Sequence, residues 1–358
     1  MVNQEKGDAS RWDAAEMISH SKPTIDGDSM AAVNTLLRAG MLARGDAFKQ
    51  FDARLREHMN SENVFYASSG THALFLILKA LELSASDEVI VPTYVCEAVE
   101  NAVRHAGAKV VFCDVGDDWL LNEASVDAVM TGNTKAIIPV HLFGRHVHVE
   151  HLLKFNVQII EDFCQAFPRR MRNALHPAPH ESSFSFYSFH ATKCLTMGEG
   201  GVIRLPDKRI NAKFKKNLAR EAKLFILSDL QAALGLQQLS CYEKFLKRRE
   251  DIATLYLGSI HSARVRLPNC LNGDHVWFRF PLKVNNLDFD LVAKSFAEYG
   301  IAVKRGVDRL LHRNHRLSDR MFPGAISVFN QTLSLPLYPS LSHANAMRIV
   351  KAVREVLS

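Results

Sequence analysis

The sequence predicts an α/β protein: a large domain with a mostly parallel sheet, then a smaller α/β domain at the C-terminus. Three observations lead there. From residue 63 onward, short Val- and Ile-rich runs alternate with amphipathic helical stretches, as in strands covered on both faces by crossover helices. Around residues 228–257 this gives way to long helices, and the tail then reads strand, helix, strand, helix. Finally, 358 residues are enough for two domains. The expected division is 1–245 for the large domain with its N-terminal segment and 246–358 for the small one.

In chain order, "DAFKQFDARLREHM" (46–59) sets Phe48, Phe51, Leu55 and Met59 on one helical stripe. The strand "NVFYAS" (63–68) precedes the helix "THALFLILKALEL" (71–83), and "EVIVP" (88–92) precedes "EAVENAVRHAG" (97–107). "KVVFCD" (109–114), "KAIIPVH" (135–141) and "VQIIED" (157–162) are further strands. In "SSFSFY" (182–187), Phe184 and Phe186 alternate with serines, and "GEGGVIRL" (198–205) turns on glycines into another strand. In the tail, "HVWFRFPLKV" (275–284) and "IAVKR" (301–305) read as strands, with helices at 288–300 and 345–357.

Bulk composition excludes several classes. With 47% hydrophobic and 23% charged residues this is an ordinary globular chain. A net charge of +6 and a pI near 9.0 suit an anionic small molecule. They do not argue for nucleic acid, because the basic patches "KFKK" and "KFLKRRE" read as solvated helix faces and no zinc-finger, RRM or KH pattern accompanies them. The six cysteines show no CxxC spacing and read as reduced thiols, and no metal is expected. The charged start "MVNQEKGDASRWDAAEM" is unlike a signal peptide, and no apolar run approaches membrane-spanning length. A cytoplasmic protein is expected.

Four clusters at strand ends can carry chemistry. In "SSGTHAL" (68–74), Gly70 lets a ligand approach the backbone, and the helix that follows offers free N–H groups to an anion. A structural turn is the bland alternative. In "IIEDFCQAF" (159–167), Asp162 ends an apolar strand, where a carboxylate is costly unless paired, and Gln165 follows one helical turn later. Asp162 could also be a helix cap. "SFHATKCLTMGEGG" (188–201) holds Ser188, His190, Thr192 and Lys193 in a loop, and "PVHLFGR" (139–145) places His141 and Arg145 beside a strand end. Together they supply an anion cradle, a buried carboxylate for a cationic ring and a reactive lysine, the three partners that pyridoxal phosphate requires.

With these motifs the chain resembles the DegT/DnrJ/EryC1/StrS family of pyridoxal-phosphate-dependent sugar aminotransferases. The resemblance runs from "SKPTIDGDSMAAVNTLLRAGMLARG" (21–45) through the four clusters to "SDLQAALGLQQL" and "SLPLYPSL" (334–341). It implies a type I, aspartate-aminotransferase-like fold and a homodimer. It implies transfer of an amino group from glutamate or glutamine to a keto-sugar, most often nucleotide-linked. Carried over by residue, Lys193 holds the cofactor and shuttles a proton, Asp162 faces the ring nitrogen, and Gln165 sits near the ring hydroxyl. Gly70, Thr71, His72 and Ser188 surround the phosphate. His141, Arg145, His190 and His312 are candidates on the substrate side.

Departures from the family pattern fall at two places around the cofactor. Where relatives stack an aromatic residue on the ring, this chain reads "PTYVCEA" (92–98), with Cys96 at that place and Tyr94 two residues earlier. Where relatives send a polar residue into the neighbouring subunit before the "SDLQAA" helix, this chain has "AKLFIL" (222–227), leaving Arg220 or Lys223 as the substitutes. A regulatory or otherwise altered family member is the alternative function. The sugar dehydratases of this group have histidine at the lysine position, which Lys193 argues against.

Overall fold

The computed structural model describes residues 17–171, 174–206, 212–223, 225–269 and 275–358. The charged N-terminal stretch, Cys270 and Leu224 lie outside the described residues.

Helix α1 (Gly27–Ala39) starts on Asp26, whose carboxylate accepts the Ser29 N–H, and stops at Gly40 in the left-handed region, φ 69°. Helix α2 (Asp46–Met59) buries the predicted stripe of Phe48, Phe51, Leu55 and Met59. It has no side-chain cap of its own. The Asp229 carboxylate, far along the chain, accepts the N–H groups of Gly45, Ala47 and Phe48 instead.

The large sheet then builds up from β1 (Val64–Ala67), α3 (Gly70–Ala80), β2 (Glu88–Pro92), α4 (Glu97–His105), β3 (Lys109–Cys113), the short α5 (Glu123–Asp127), β4 (Thr134–Ile137) and β5 (Gln158–Asp162). A small hairpin of β6 (Arg169–Met171) and β7 (Ala174–His176) precedes β8 (Phe184–Ser188) and β9 (Gly201–Arg204). The spatial order is β1-β9-β8-β5-β4-β2-β3. Strands β3, β2, β4, β5 and β8 run parallel, and β9 pairs antiparallel with both β8 and β1. The five residues of β2 and of β8 are all buried, as expected of strands covered on both faces.

Helices α6 (Ala212–Ala222), α7 (Asp229–Ser240) and α8 (Tyr242–Ser259) follow. The remainder comprises β10 (Val265–Arg266), β11 (Phe280–Val284), α9 (Phe289–Glu298), α10 (Leu311–Asn314), α11 (Pro323–Gln331), β12 (Thr332–Leu335) and α12 (His343–Val356). Strands β10, β11 and β12 form a second, antiparallel sheet.

The cores do not follow chain order at either end. One core joins the large sheet to Leu310, Leu311, Phe322, Ala325 and Val328 from late in the chain. The C-terminal core in turn includes Ile18. The expected division at 245/246 falls inside the unbroken helix α8. Leu246 packs with α2 and α7, and Ile252, one and a half turns on, belongs to the C-terminal core.

Three strand expectations are corrected. The strand expected at 135–141 ends at Ile137, and beyond it Val140 makes only a single bridge, to Asp162. "IAVKR" is not a strand: Ile301 bridges Ile18 and Lys304 bridges Ser334, because its backbone is shared between two different segments. Of 275–284 only Phe280–Val284 is strand, and its second partner is β12, whose short "TLSL" run carries too weak an alternation to announce itself.

Candidate active site

Strands β5 and β8 and the N-terminus of α3 converge on a cavity of about 370 Å³. The arrangement depends on close backbone approach. At Gly70 a Cβ would stand 2.7 Å from Cys164 Sγ and 2.8 Å from Ser188 Cβ. At Gly201 it would lie 2.3 Å from the Ser69 carbonyl oxygen. Only glycine lets α3, β8 and β9 meet this tightly.

Asp162 and Lys193 both line the cavity. Asp162 is buried at the end of β5, and its Oδ1 accepts the Cys164 N–H at 2.8 Å. Burial raises its pKa, and the Lys193 charge pulls it back only in part. Lys193 follows a turn closed by its own N–H on the His190 carbonyl at 2.9 Å, and its Nζ lies 5.2 Å from the Phe278 ring centroid. Gln165 fixes the wall by accepting the Phe143 N–H at 2.8 Å, holding Phe143 at φ 59°. Ser188 Oγ accepts the His190 N–H at 3.3 Å.

The other predicted residues divide. Gly70, Thr71, Cys96, Gln165, Ser188 and His190 line the cavity. His72 contributes only backbone near it: its N–H is taken by Ser69 Oγ, and its ring packs 3.8 Å from the Phe225 ring, centroid to centroid. Tyr94 does not line the cavity. It is buried with its hydroxyl against Gly306, where a Cβ would come within 2.2 Å. His141, Arg145 and His312 do not line the cavity either. Arg145 donates to the Asn269 carbonyl at 3.1 Å, and buried His312 joins Thr93 Oγ1 at 2.7 Å to Asp319 at 2.9 Å. Each is drawn away by a structural partner that sequence spacing does not show. Cys164, Phe186 and Glu199, which the reading passed over, also line the cavity. Cys164 stood in the quoted "IIEDFCQAF", two residues past the acid, and was legible there.

His141, His146 and Glu161 bring possible metal-ligand atoms within 4.8 Å of one another. His141 Nδ1, however, accepts the Val147 N–H at 3.0 Å, so its Nε2 carries the proton and donates to Glu161 at 3.1 Å. That nitrogen has no lone pair for a metal. Burial holds His141 down to about 3 and pushes Glu161 up to about 7, consistent with a neutral, hydrogen-bonded pair.

The donor set fits pyridoxal phosphate. A buried carboxylate ion-paired with no basic side chain among the described residues suits a protonated ring nitrogen. The helix N-terminus at Gly70 and Thr71, with the Ser188 hydroxyl, suits a phosphate. Lys193 reaches the same space.

This fold and cavity define a type I pyridoxal-phosphate enzyme. The chain belongs to the DegT/DnrJ/EryC1/StrS aminotransferase family, whose profile matches residues 23–354. It is 27% identical to the spore coat polysaccharide biosynthesis protein SpsC of Bacillus subtilis, over 95% of this chain and 97% of that one. It is 26% identical to GDP-perosamine synthase of Escherichia coli O157:H7, over 94% and 98%. The solved structure of NtdA from Bacillus subtilis with bound cofactor PMP superposes with a TM-score of 0.82 at 24% identity, covering 99% of this chain and 87% of that one. The chain is accordingly a pyridoxal-phosphate-dependent aminotransferase of the sugar aminotransferase family.

Gly70→Ala tests the cradle. The added methyl is expected to cost about 1–3 kcal/mol through overpacking and to weaken cofactor retention. Thermal unfolding and the visible absorbance of the purified chain measure the two effects.

Proposed function

We propose that the protein moves an amino group from glutamate or glutamine to a nucleotide-linked keto-sugar in amino-sugar biosynthesis. The observation that carries this reading is the convergence of Asp162, Lys193 and the α3 N-terminus on one cavity. The names of the two relatives, a polysaccharide biosynthesis protein and a GDP-sugar synthase, support the acceptor class.

When bound, the cofactor supplies an electron-withdrawing ring that stores the amino nitrogen between the two half-reactions. Lys193 anchors it and then moves a proton at its Nζ. Asp162 holds a proton at the ring nitrogen by keeping a negative charge beside it in a buried place. Gly70, Thr71 and Ser188 hold the phosphate from within the same chain, which suits the apolar stretch at Phe225, Ile226 and Leu227. Gln165 orients the ring hydroxyl, and Cys96, exposed at the start of α4, faces the ring. His190, with Nε2 3.6 Å from Glu199, belongs to the substrate side.

A homodimer in the cytoplasm completes the reading. Exposed Leu37, Met41, Leu42 and Ile226 supply apolar surface for a second copy, and no helix among the described residues is long and apolar enough to cross a membrane.

The test is a screen of half-reactions. The purified chain should be yellow and should bleach with glutamate or glutamine. The bleached form should recover colour with nucleotide keto-sugars, and with the keto acid of the donor as the reverse of the first half-reaction, but not with keto acids unrelated to either substrate. A chain that bleaches with no amino donor would defeat the proposal.

A further inference from the structure

Just ahead of β11 lies a cation that, among the described residues, rests on the Phe278 ring and makes no ion pair. Arg279 has its Nε buried with no hydrogen bond, and among the described residues its guanidinium makes no hydrogen bond or ion pair. Arg249, fully buried, also has an orphaned Nε, but its Nη1 donates to the carbonyls of Trp277, Phe278 and Leu337 at 3.1, 3.1 and 3.0 Å. Arg279 is half-buried, its guanidinium stays charged, and leaving its buried Nε unpaired is costly. A site that keeps one in that state has a use for it when a ligand arrives.

Its position is beside the cofactor cavity. Arg279 Cζ and Lys193 Nζ each lie 5.2 Å from the centroid of the same Phe278 ring. Cys96, which lines the cavity, is within electrostatic reach, as are Tyr94 and the exposed Asp308. On the other side, His20 feels the charges of both Arg279 and Lys304, and with burial they hold its pKa down to about 3. His20 is therefore neutral and does not add to the positive field at neutral pH. Lys304 is exposed and makes no side-chain ion pair among the described residues. Among the described residues, Asp308 is the carboxylate whose charge acts on Arg279.

We propose that Arg279, assisted by Lys304, forms an anion subsite on the Phe278 and Cys96 side of the cavity, taking a carboxylate or phosphate of one of the two substrates. This deepens the transamination reading and rests on it. The planar guanidinium can hold either group through paired N–H donors. The two sources are a side-chain carboxylate of the amino donor and a phosphate of the acceptor.

The experiment titrates the cofactor-loaded chain with glutarate and with inorganic phosphate by calorimetry, comparing the parent, Arg279→Gln and Lys304→Gln. The parent should bind at least one of the anions. Arg279→Gln should weaken that binding about tenfold or more, as expected for a lost charge-assisted contact, and Lys304→Gln by a smaller factor. Loss of glutarate binding, with a raised KM for glutamate in the bleaching half-reaction, assigns the subsite to the donor. Loss of phosphate binding with bleaching intact assigns it to the acceptor. The unfolding temperature of Arg279→Gln should stay level or rise, since a half-buried charge without an ion pair is removed. The proposal is overturned if the parent binds neither anion, or if Arg279→Gln binds both as tightly as the parent. If Arg279→Gln fails to fold, Lys304→Gln decides on the same titration: unchanged binding overturns the proposal. A parent that binds anions yet never bleaches with a donor would sink the transamination reading and leave the anion site standing.

Discussion

Replacing Lys193 with alanine should lower transamination by at least about a thousandfold, the range set by losing a positioned proton carrier together with a covalent anchor. The fold should survive, because Lys193 lies in a loop and, among the described residues, its Nζ makes no hydrogen bond or ion pair, resting 5.2 Å from the Phe278 ring centroid. In the parent, borohydride reduction followed by peptide mapping should fix the pyridoxyl group on the peptide carrying Lys193. Recovery of that group on another lysine would remove Lys193 from its role. So would an alanine variant that kept substantial turnover.

Asp162→Asn should produce the second large loss, about a hundredfold or more, while much of the cofactor is retained. Asparagine has the shape of aspartate and can still accept the Cys164 N–H. What it lacks is the negative charge that keeps a proton on the ring nitrogen.

The same substitution carries a pH signature in the cofactor-free protein. Burial raises the Asp162 pKa in the folded state above its unfolded value. Its neutral form is therefore favoured by folding, a contribution fully present below the unfolded pKa and lost as pH rises through the folded one. The asparagine variant has no such loss, so its melting temperature should gain on the parent at pH 8 relative to pH 4. Equal differences at the two pH values would show that Asp162 is not desolvated as the structure has it.

Much of the fold was legible in the sequence. The Val- and Ile-rich run that became β2 is buried throughout, and β5 is buried after its first residue, so hydrophobicity marks them; β3, at the sheet edge, is buried only at Phe112 and Cys113. The stripe of α2 was equally plain, since all four of its apolar residues are buried. "IAVKR" was misread because its alternation is real while its hydrogen-bond partners are split between Ile18 and Ser334. The hairpin of β6 and β7 and the strand β12 are too short to show a period.

The candidate site divides along the same line. By itself the sequence determined the chemistry: a lysine after "SFHAT", an acid closing an apolar strand and a glycine opening a helix, each specified within a few neighbouring residues. Tertiary structure alone decided which side chains share the cavity. Tyr94 is turned toward Gly306, and His141 is locked to Glu161 and Val147. Arg279, silent in the sequence, is left without an ion pair among the described residues, beside Phe278. Local sequence sets backbone conformation and strand ends over a few residues. Where a side chain points at a site is set by partners that may be tens or hundreds of residues away, and those contacts exist only once the chain has closed on itself.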